Sequence, residues 1–231
     1  MEYKDLDGCS INESISIYNC DCMDLLKQTP DNYYSLAIVD PPYGINQDKV
    51  QNNKKGKNGY SIYKETDWDK EIPKAEYFKE LNRVSKNQII WGANYMTMFL
   101  PSSMGWIFWD KGQRNFSHSD GELAYSSFER ALRVFTMPRS TSLKDARNSG
   151  GKLHPTQKPV HLYSWLLHNY AEPNQKILDT HLGSGSIAIA IDNVNKIEKM
   201  NLTLTACELD TDYFKAAMKR IEQQTAQQTI F

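Results

Sequence analysis

The sequence has little of what marks a secreted, membrane-spanning or metal-binding chain. Its four cysteines, Cys9, Cys20, Cys22 and Cys207, are too few and too irregular for a disulfide framework. Cys20 and Cys22 lack metal-ligand spacing and a matching second pair, so reduced core or strand cysteines are expected and no metal is assigned. Nothing approaches the roughly 18 consecutive apolar residues of a transmembrane helix. Met1–Ser10 is polar and acidic rather than a basic segment ahead of an apolar run, which leads us to expect a cytoplasmic protein without membrane contact. The formal net charge is only −1, so any contact with a polyanion must come from local clustering. There are no internal repeats, no low-complexity tracts and no linker. A chain of 231 residues, 40% of them apolar, can bury one full core, and a single domain over residues 1–231 is expected.

Apolar runs of strand length alternate with helical stretches, the pattern of an α/β domain with a mainly parallel sheet. Expected strands are Ile15–Asn19, Ser35–Val39, Gln88–Trp91, Trp106–Trp109, Leu123–Ser126, Ala131–Phe135, Lys176–Asp179 and Leu202–Glu208. Expected helices are Cys22–Gln28, Lys74–Val84, His161–Tyr170, Ser184–Asn193 and Asp212–Gln223. Little helix separates the aromatic-rich runs around Trp106 and Ala131, which predicts an antiparallel, hairpin-like pair at one sheet edge. Two basic clusters interrupt the pattern. Lys49, Lys54, Lys55, Lys57 and Lys64 lie in an aperiodic inserted loop, residues 45–66, with Tyr60 and Tyr63. Arg139, Lys144, Arg147, Lys152 and Lys158 face the single acid Asp145, with Ser149, Gly150 and Gly151 as breakers, and residues 136–158 read as a second loop.

Three motifs carry chemistry. Asp40-Pro41-Pro42-Tyr43 directly follows Leu36–Val39 and so sits at the carboxyl end of a strand, where open α/β sheets bind ligands. Consecutive prolines remove two donors and stiffen the turn, leaving its carbonyl oxygens free to accept. A carboxylate, a free carbonyl and an aromatic face within four residues suit the methylation of an aromatic amine, whose lone pair is delocalised into its ring. If Asp40 and the Pro41 carbonyl each accept one N–H, the nitrogen lone pair is aimed outward at an electrophile, and Tyr43 can stack on an extruded base. The second motif, Asp179-Thr180-His181-Leu182-Gly183-Ser184-Gly185-Ser186, is a glycine turn between a strand and a helix, where backbone approaches a ligand closely. The next strand ends in Glu208, suitably placed for ribose hydroxyls. An adenosyl ligand fits better than a dinucleotide, because Ile187 or Ala188 stands where a third glycine would be expected. The third motif, His154-Pro155-Thr156-Gln157-Lys158-Pro159, precedes a helix and is rich in anion-contacting groups.

Together these residues resemble the amino-methyltransferases of DNA, in the subgroup whose catalytic motif precedes the cofactor motif. The resemblance spans nearly the whole chain: Asp21 in NCDCMDLL, DPPYG at Asp40–Gly44, IIWGANY at Ile89–Tyr95, WDKG at Trp109–Gly112, GELAYSSF at Gly121–Phe128, HPTQKP, and DTHLGSGS at Asp179–Ser186. It implies a Rossmann-like, S-adenosylmethionine-dependent methyltransferase fold: a seven-stranded mixed sheet with one antiparallel strand and helices on both faces. It also implies a catalytic half over residues 1–135 and a cofactor half over residues 159–223. Asp21 would lie near the cofactor adenine, Glu208 at its ribose, and Asp179, Gly183 and Gly185 around its methionine portion. Asp40, Thr156, Lys158, His181 and Ser184 complete the expected cofactor set, with His181 standing where the family usually carries Phe.

The Asp form of the catalytic motif is commoner among adenine N6 enzymes and the Ser form among cytosine N4 enzymes, so the resemblance points to adenine. Cytosine N4 methylation stays open, as do two other classes, a protein glutamine N5-methyltransferase and a non-catalytic DNA-binding subunit. Motif order argues against the glutamine enzyme, and the intact Asp40–Tyr43 turn argues against an inactive subunit. Double-stranded DNA is the expected partner, contacted by the five loop lysines with Arg139 and Arg147, and a homodimer is a further expectation. The tail, residues 224–231, ends in Gln227-Gln228-Thr229-Ile230-Phe231, which resembles the short peptides that dock on the bacterial sliding clamp.

Overall fold

A computed structural model describes residues 3–46, 69–115, 119–151, 153 and 156–226. Nine strands form one mixed sheet: β1 (Asp7–Asn12), β2 (Ile15–Asn19), β3 (Tyr34–Val39), β4 (Ser85–Trp91), β5 (Ile107–Asp110), β6 (Gly121–Ser126), β7 (Arg133–Thr136), β8 (Lys176–Asp179) and β9 (Thr203–Glu208). Among the described residues six α-helices accompany them: α1 (Cys22–Gln28), α2 (Ala75–Val84), α3 (Arg139–Asn148), α4 (Val160–Tyr170), α5 (Ser186–Glu198) and α6 (Thr211–Thr225). Among the described residues no helix is long and apolar enough to cross a membrane.

The sheet runs β1-β2-β9-β8-β3-β4-β6-β5-β7. β3 and β8 lie at its centre and are buried along most of their length, which is why Leu36–Val39 and Ile177–Leu178 read as continuous apolar runs rather than alternating ones. Leu25 and Leu26 of α1 and Tyr77, Phe78 and Leu81 of α2 pack on one face. On the other, Leu162 and Leu166 of α4, Ile187 and Ile191 of α5 and Ile221 of α6 pack against Ile15, Ile17, Ile38 and Ile89. Helix starts are built locally: Asp21 accepts the Met23 N–H at 2.8 Å to cap α1, and Asp210 accepts those of Asp212 and Tyr213 to cap α6.

The fold class is the expected one, with three differences. The described residues form nine strands rather than seven, and two of these run against the rest, β6 and the edge strand β1. β1 is exposed along nearly its whole length and is held by its ladder to β2, so no apolar alternation marks it. The Trp106 and Ala131 runs become β5 and β7, which pair parallel, not antiparallel. β6 returns antiparallel between β4 and β5 and ends beside the start of β5, so a short link reaching the open edge of β5 launches β7 in the same direction. Finally, residues 139–148 are helix rather than loop. Asp145 of α3 is buried, accepting the Val160 N–H at 2.9 Å and bonding the His161 ring, so α3 is fixed by the start of α4 instead of by an apolar stripe.

Candidate active site

Strand order places the two motifs side by side. β3 pairs parallel with β8, Leu36 opposite Ile177 and Ala37 opposite Leu178. From β8 the chain winds through α5 to β9 on one side; from β3 it winds through α2 to β4 on the other. The carboxyl ends of β3 and β8 therefore flank the topological switch point, where such sheets open a crevice. Asp40 leaves β3 there, while Asp179 ends β8 and Glu208 ends β9.

On the β3 side the catalytic turn is pinned from several directions. The Asp69 carboxylate accepts the backbone N–H groups of Tyr43 at 2.7 Å and Gly44 at 3.0 Å. The Tyr43 ring stacks on Tyr95, centroids 5.4 Å apart, and lies over Gly92, where a Cβ would come within 2.0 Å of it. Gly92 also has φ of +66°, so both space and backbone require glycine. The Tyr43 hydroxyl donates to Asp40 Oδ1 at 2.6 Å, and the Lys158 ammonium donates to Asp40 Oδ2 and, at 3.2 Å, to the Tyr43 oxygen.

Lys158, its side chain 1% exposed, lies 3.3 Å from Glu122 Oε2 on the reversed strand β6, and Lys111 bonds Glu122 Oε1 at 2.5 Å. Beneath it is the Trp91 ring, 5.3 Å from Nζ, whose buried indole N–H has no hydrogen-bond partner among the described residues. Burial opposes charge on Asp40, Glu122 and Lys158. Around Glu122, Lys158 and Lys111 overcome that cost and hold the carboxyl below its ordinary range. Around Lys158, Asp40 and Glu122 do the same and hold the ammonium above its own. Asp40 stays above the ordinary carboxylate range, because burial and the nearby Glu122 outweigh Lys158 and Tyr43.

The β8 and β9 side is built differently. Asp179 accepts the His181 N–H at 3.0 Å, and Glu208 accepts those of Gly183 at 2.8 Å and Asp210 at 3.0 Å. Among the described residues no cation lies within ion-pair reach of either acid. Burial pushes Asp179 up to about 8, reinforced by Asp40 and Glu208, and burial also raises Glu208. Gly183 has φ of +54°, and a Cβ there would point into open space, its nearest neighbour the His181 carbonyl oxygen at 3.9 Å. Gly185, φ +75°, packs so tightly on Ile221 that a Cβ would come within 2.6 Å, immediately before α5 begins. His181 meets Tyr77 edge-on and bonds Thr180 Oγ1 at 2.9 Å; burial lowers it to about 4, so its ring is uncharged at neutral pH.

The remaining expected residues are distributed around this crevice. Asp21 is exposed at the N-terminus of α1, beyond β2, whose Asn19 pairs with Glu208. Ser184 is buried and Thr156 half-buried, while the Lys158 ammonium sits on the catalytic turn. Arg139 and Arg147 are exposed on α3. The lysines at 49, 54, 55, 57 and 64, with His154, Pro155 and the tail 227–231, lie outside the described residues.

Four residues that sequence reasoning did not single out prove structural. Asp69, Glu122 and Lys111 surround the catalytic turn as above. Buried Arg220 of α6 ties the end of α3 to the glycine turn, donating to the Ser149 hydroxyl at 2.9 Å and the Ser184 carbonyl at 2.6 Å. Their partners are distant in sequence, so no local signal announces them.

Residues 108–219 match a family model described as DNA methylase. The chain is 24% identical to the type II methyltransferase M2.MboI of Moraxella bovis, over 78% of this chain and 80% of that protein. Among solved structures, the fold is similar to that of M1.HpyAVI in its complex with S-adenosylmethionine, with a TM-score of 0.56, 18% identity and coverage of 90% of this chain and 98% of that one. It is similar too to the cytosine-N4-specific PvuII DNA methyltransferase, with a TM-score of 0.57, 14% identity and coverage of 95% and 89%. The family match takes in the glycine turn, and the sheet brings this turn beside the Asp-Pro-Pro-Tyr turn, so the chain is similar in sequence and fold to the S-adenosylmethionine-dependent amino-methyltransferases of DNA.

Proposed function

We propose that this chain is a DNA adenine N6-methyltransferase acting on a base extruded from double-stranded DNA, with Asp40–Tyr43 as its catalytic turn. The observation that carries the reading is the Asp40 carboxylate, oriented by Lys158 and Tyr43 at the mouth of the crevice, one strand away from the glycine turn. An ionised carboxylate only accepts hydrogen bonds. Asp40 and the Pro41 carbonyl oxygen take the two N–H groups of the target amine, which leaves its lone pair free to point away from both. Tyr43, already stacked on the half-exposed Tyr95, supplies an aromatic surface for the base. The Asp form of the motif, through its resemblance to adenine enzymes, favours N6 of adenine over N4 of cytosine.

The residues on the β8 and β9 side suit the cofactor. Two acids without cationic partners, an open cradle at Gly183 and an uncharged His181 accommodate a ligand that carries positive charge of its own. In this reading Asp179, His181, Gly183, Ser184 and Gly185 hold the methionine side, Glu208 holds the ribose and Asp21 lies toward the adenine. When bound, S-adenosylmethionine supplies an electrophilic methyl group on a sulfonium centre. Arg139 and Arg147, with the five loop lysines, meet the DNA backbone, an assignment supported by their charge and, for the two arginines, by their exposure.

The test is direct. Duplex DNA is incubated with the protein and isotopically labelled cofactor, then digested to nucleosides and analysed by mass spectrometry. Label in N6-methyladenine is expected. Label in N4-methylcytosine would overturn the base assignment, and unlabelled DNA the catalytic one.

A further inference from the structure

The methylation chemistry above requires Asp40, yet Asp40 sits in the most unfavourable place for a carboxylate: almost enclosed, with a second acid, Glu122, close by. Lys158 is more deeply buried still and has three acceptors around one ammonium. Isolated, either ion would be expelled or neutralised, since burying an unpaired charge is among the costliest events in a protein. What the fold supplies instead is alternation. In order of contact, Lys111, Glu122, Lys158 and Asp40 form a row of plus, minus, plus and minus, contributed by the residue after β5, the reversed strand β6, the segment before α4 and the residue after β3.

We propose that Glu122 and Lys158 are positioning residues for the reaction: through this buried row they hold Asp40 as an oriented carboxylate, Lys158 by direct contact and Glu122 by anchoring Lys158. The idea rests on the proposed role of Asp40 and extends it to groups that never meet the base. Three donors converge on Lys158's surroundings with little freedom to move. The Tyr43 hydroxyl fixes Asp40 Oδ1, Lys158 fixes Oδ2, and Lys111 fixes the far oxygen of Glu122. The aromatic floor of Trp91 and the Tyr43 ring, 5.3 and 5.7 Å from Nζ, leave the ammonium no route to water. Other titratable groups facing Asp40 are Asp179 across the crevice and Tyr163 on α4, both of which Asp40 pushes upward.

The row makes a prediction that mere packing does not. Glu122 disfavours charge on Asp40, whereas Lys158 favours it. Lys158→Met should therefore move the acid limb of the kcat–pH profile to higher pH and cost about a hundredfold in kcat at neutral pH. Glu122→Gln should move the same limb to lower pH, and Lys111→Met, which leaves Glu122 less compensated, should move it up by less than Lys158→Met. Cofactor affinity should change little in all three.

A second readout does not depend on turnover. The protonation of Asp40 is followed by NMR in protein carrying 13C-labelled aspartate carboxyls, with Asp40→Asn to assign the signal, and the same directions are expected. Opposite displacements from Glu122→Gln and Lys158→Met support the row. Displacements in one direction, or none, overturn it and leave both residues as packing. If Lys158→Met does not fold, Glu122→Gln and Lys111→Met still give opposite signs. A wild-type protein that leaves DNA unmethylated would sink the proposed function, while the NMR titration would still judge the row.

Discussion

The two walls of the crevice hold comparable numbers of buried acids and treat them in opposite ways. On the β3 side the two acids in contact with Lys158 are matched by lysine: Asp40 by Lys158, and Glu122 by Lys158 and Lys111. On the β8 and β9 side, among the described residues, Asp179 and Glu208 accept hydrogen bonds from backbone N–H groups and from no cation, and burial drives both upward. The difference follows from what each wall receives. A nucleobase arrives neutral, so a carboxylate that must greet it in charged form needs a cation of the protein's own. A sulfonium cofactor arrives carrying positive charge, and a wall that already held its countercharge would compete with it.

The contrast can be broken by experiment, starting where the effect is greatest. Asp40→Ala should cost on the order of 10³-fold in kcat and leave cofactor affinity nearly intact, as single-turnover kinetics and calorimetry would report. Loss of both together would mean the walls do not divide the labour. Glu208→Ala should do the reverse, weakening cofactor binding by about 1.5–3 kcal/mol, roughly 10- to 100-fold in Kd, with DNA affinity unchanged in a filter-binding or anisotropy measurement.

The third test uses pH. Asp179 is protonated below about 8 in the free protein. A positively charged ligand draws it toward the ionised form, so binding releases a proton. Cofactor affinity should then rise with pH toward about 8, by at most about tenfold per pH unit for one proton, and Asp179→Asn should flatten the curve. An unchanged slope in that variant would assign the dependence elsewhere. The smallest effect separates ring from hydroxyl at Tyr43. Its hydroxyl bridges Asp40 and Lys158, so Phe should cost about 0.5–1.5 kcal/mol in kcat/KM, less than the 1–3 kcal/mol or so expected for Ala from lost stacking. Equal losses would show that the ring contributes nothing.

Most of the sheet was readable because its strands are buried. β2 and β8 match their expected bounds, since Ile15 and Ile17 alternate inward and Ile177 and Leu178 are enclosed on both faces. α1 was equally plain, with its Asp21 cap and Leu25-Leu26 pair. α3 was hidden because Arg-Ser-Thr-Ser-Leu-Lys-Asp-Ala-Arg-Asn has no apolar period; its place is set by its own Asp145, which accepts the Val160 N–H at the start of α4, a tertiary contact that overrides weak local preference. β1 was hidden because an exposed edge strand needs no alternation. Within the site, the two motifs were legible as turns because glycine and proline mark backbone geometry directly. Lys158 was named from its motif as a cofactor residue, but its pairing with Asp40 and Glu122 was not legible, since pairing across separate strands leaves no trace in local spacing.

Asn46 and Asp69 bear on how such an enzyme could be refashioned. The Asn46 N–H donates to the Asp69 carbonyl oxygen at 3.0 Å, while the Asp69 carboxylate clamps the turn at Tyr43 and Gly44. The described backbone on either side of residues 47–68 therefore closes at one seam, and the clamp on the catalytic turn belongs to that seam. Closing a loop grows costlier only slowly with length, about 0.6 kcal/mol per doubling. The segment is thus a cassette: sequences of different length and character can be grafted between Asn46 and Asp69 without redesigning the chemistry, provided Asp69 itself is kept.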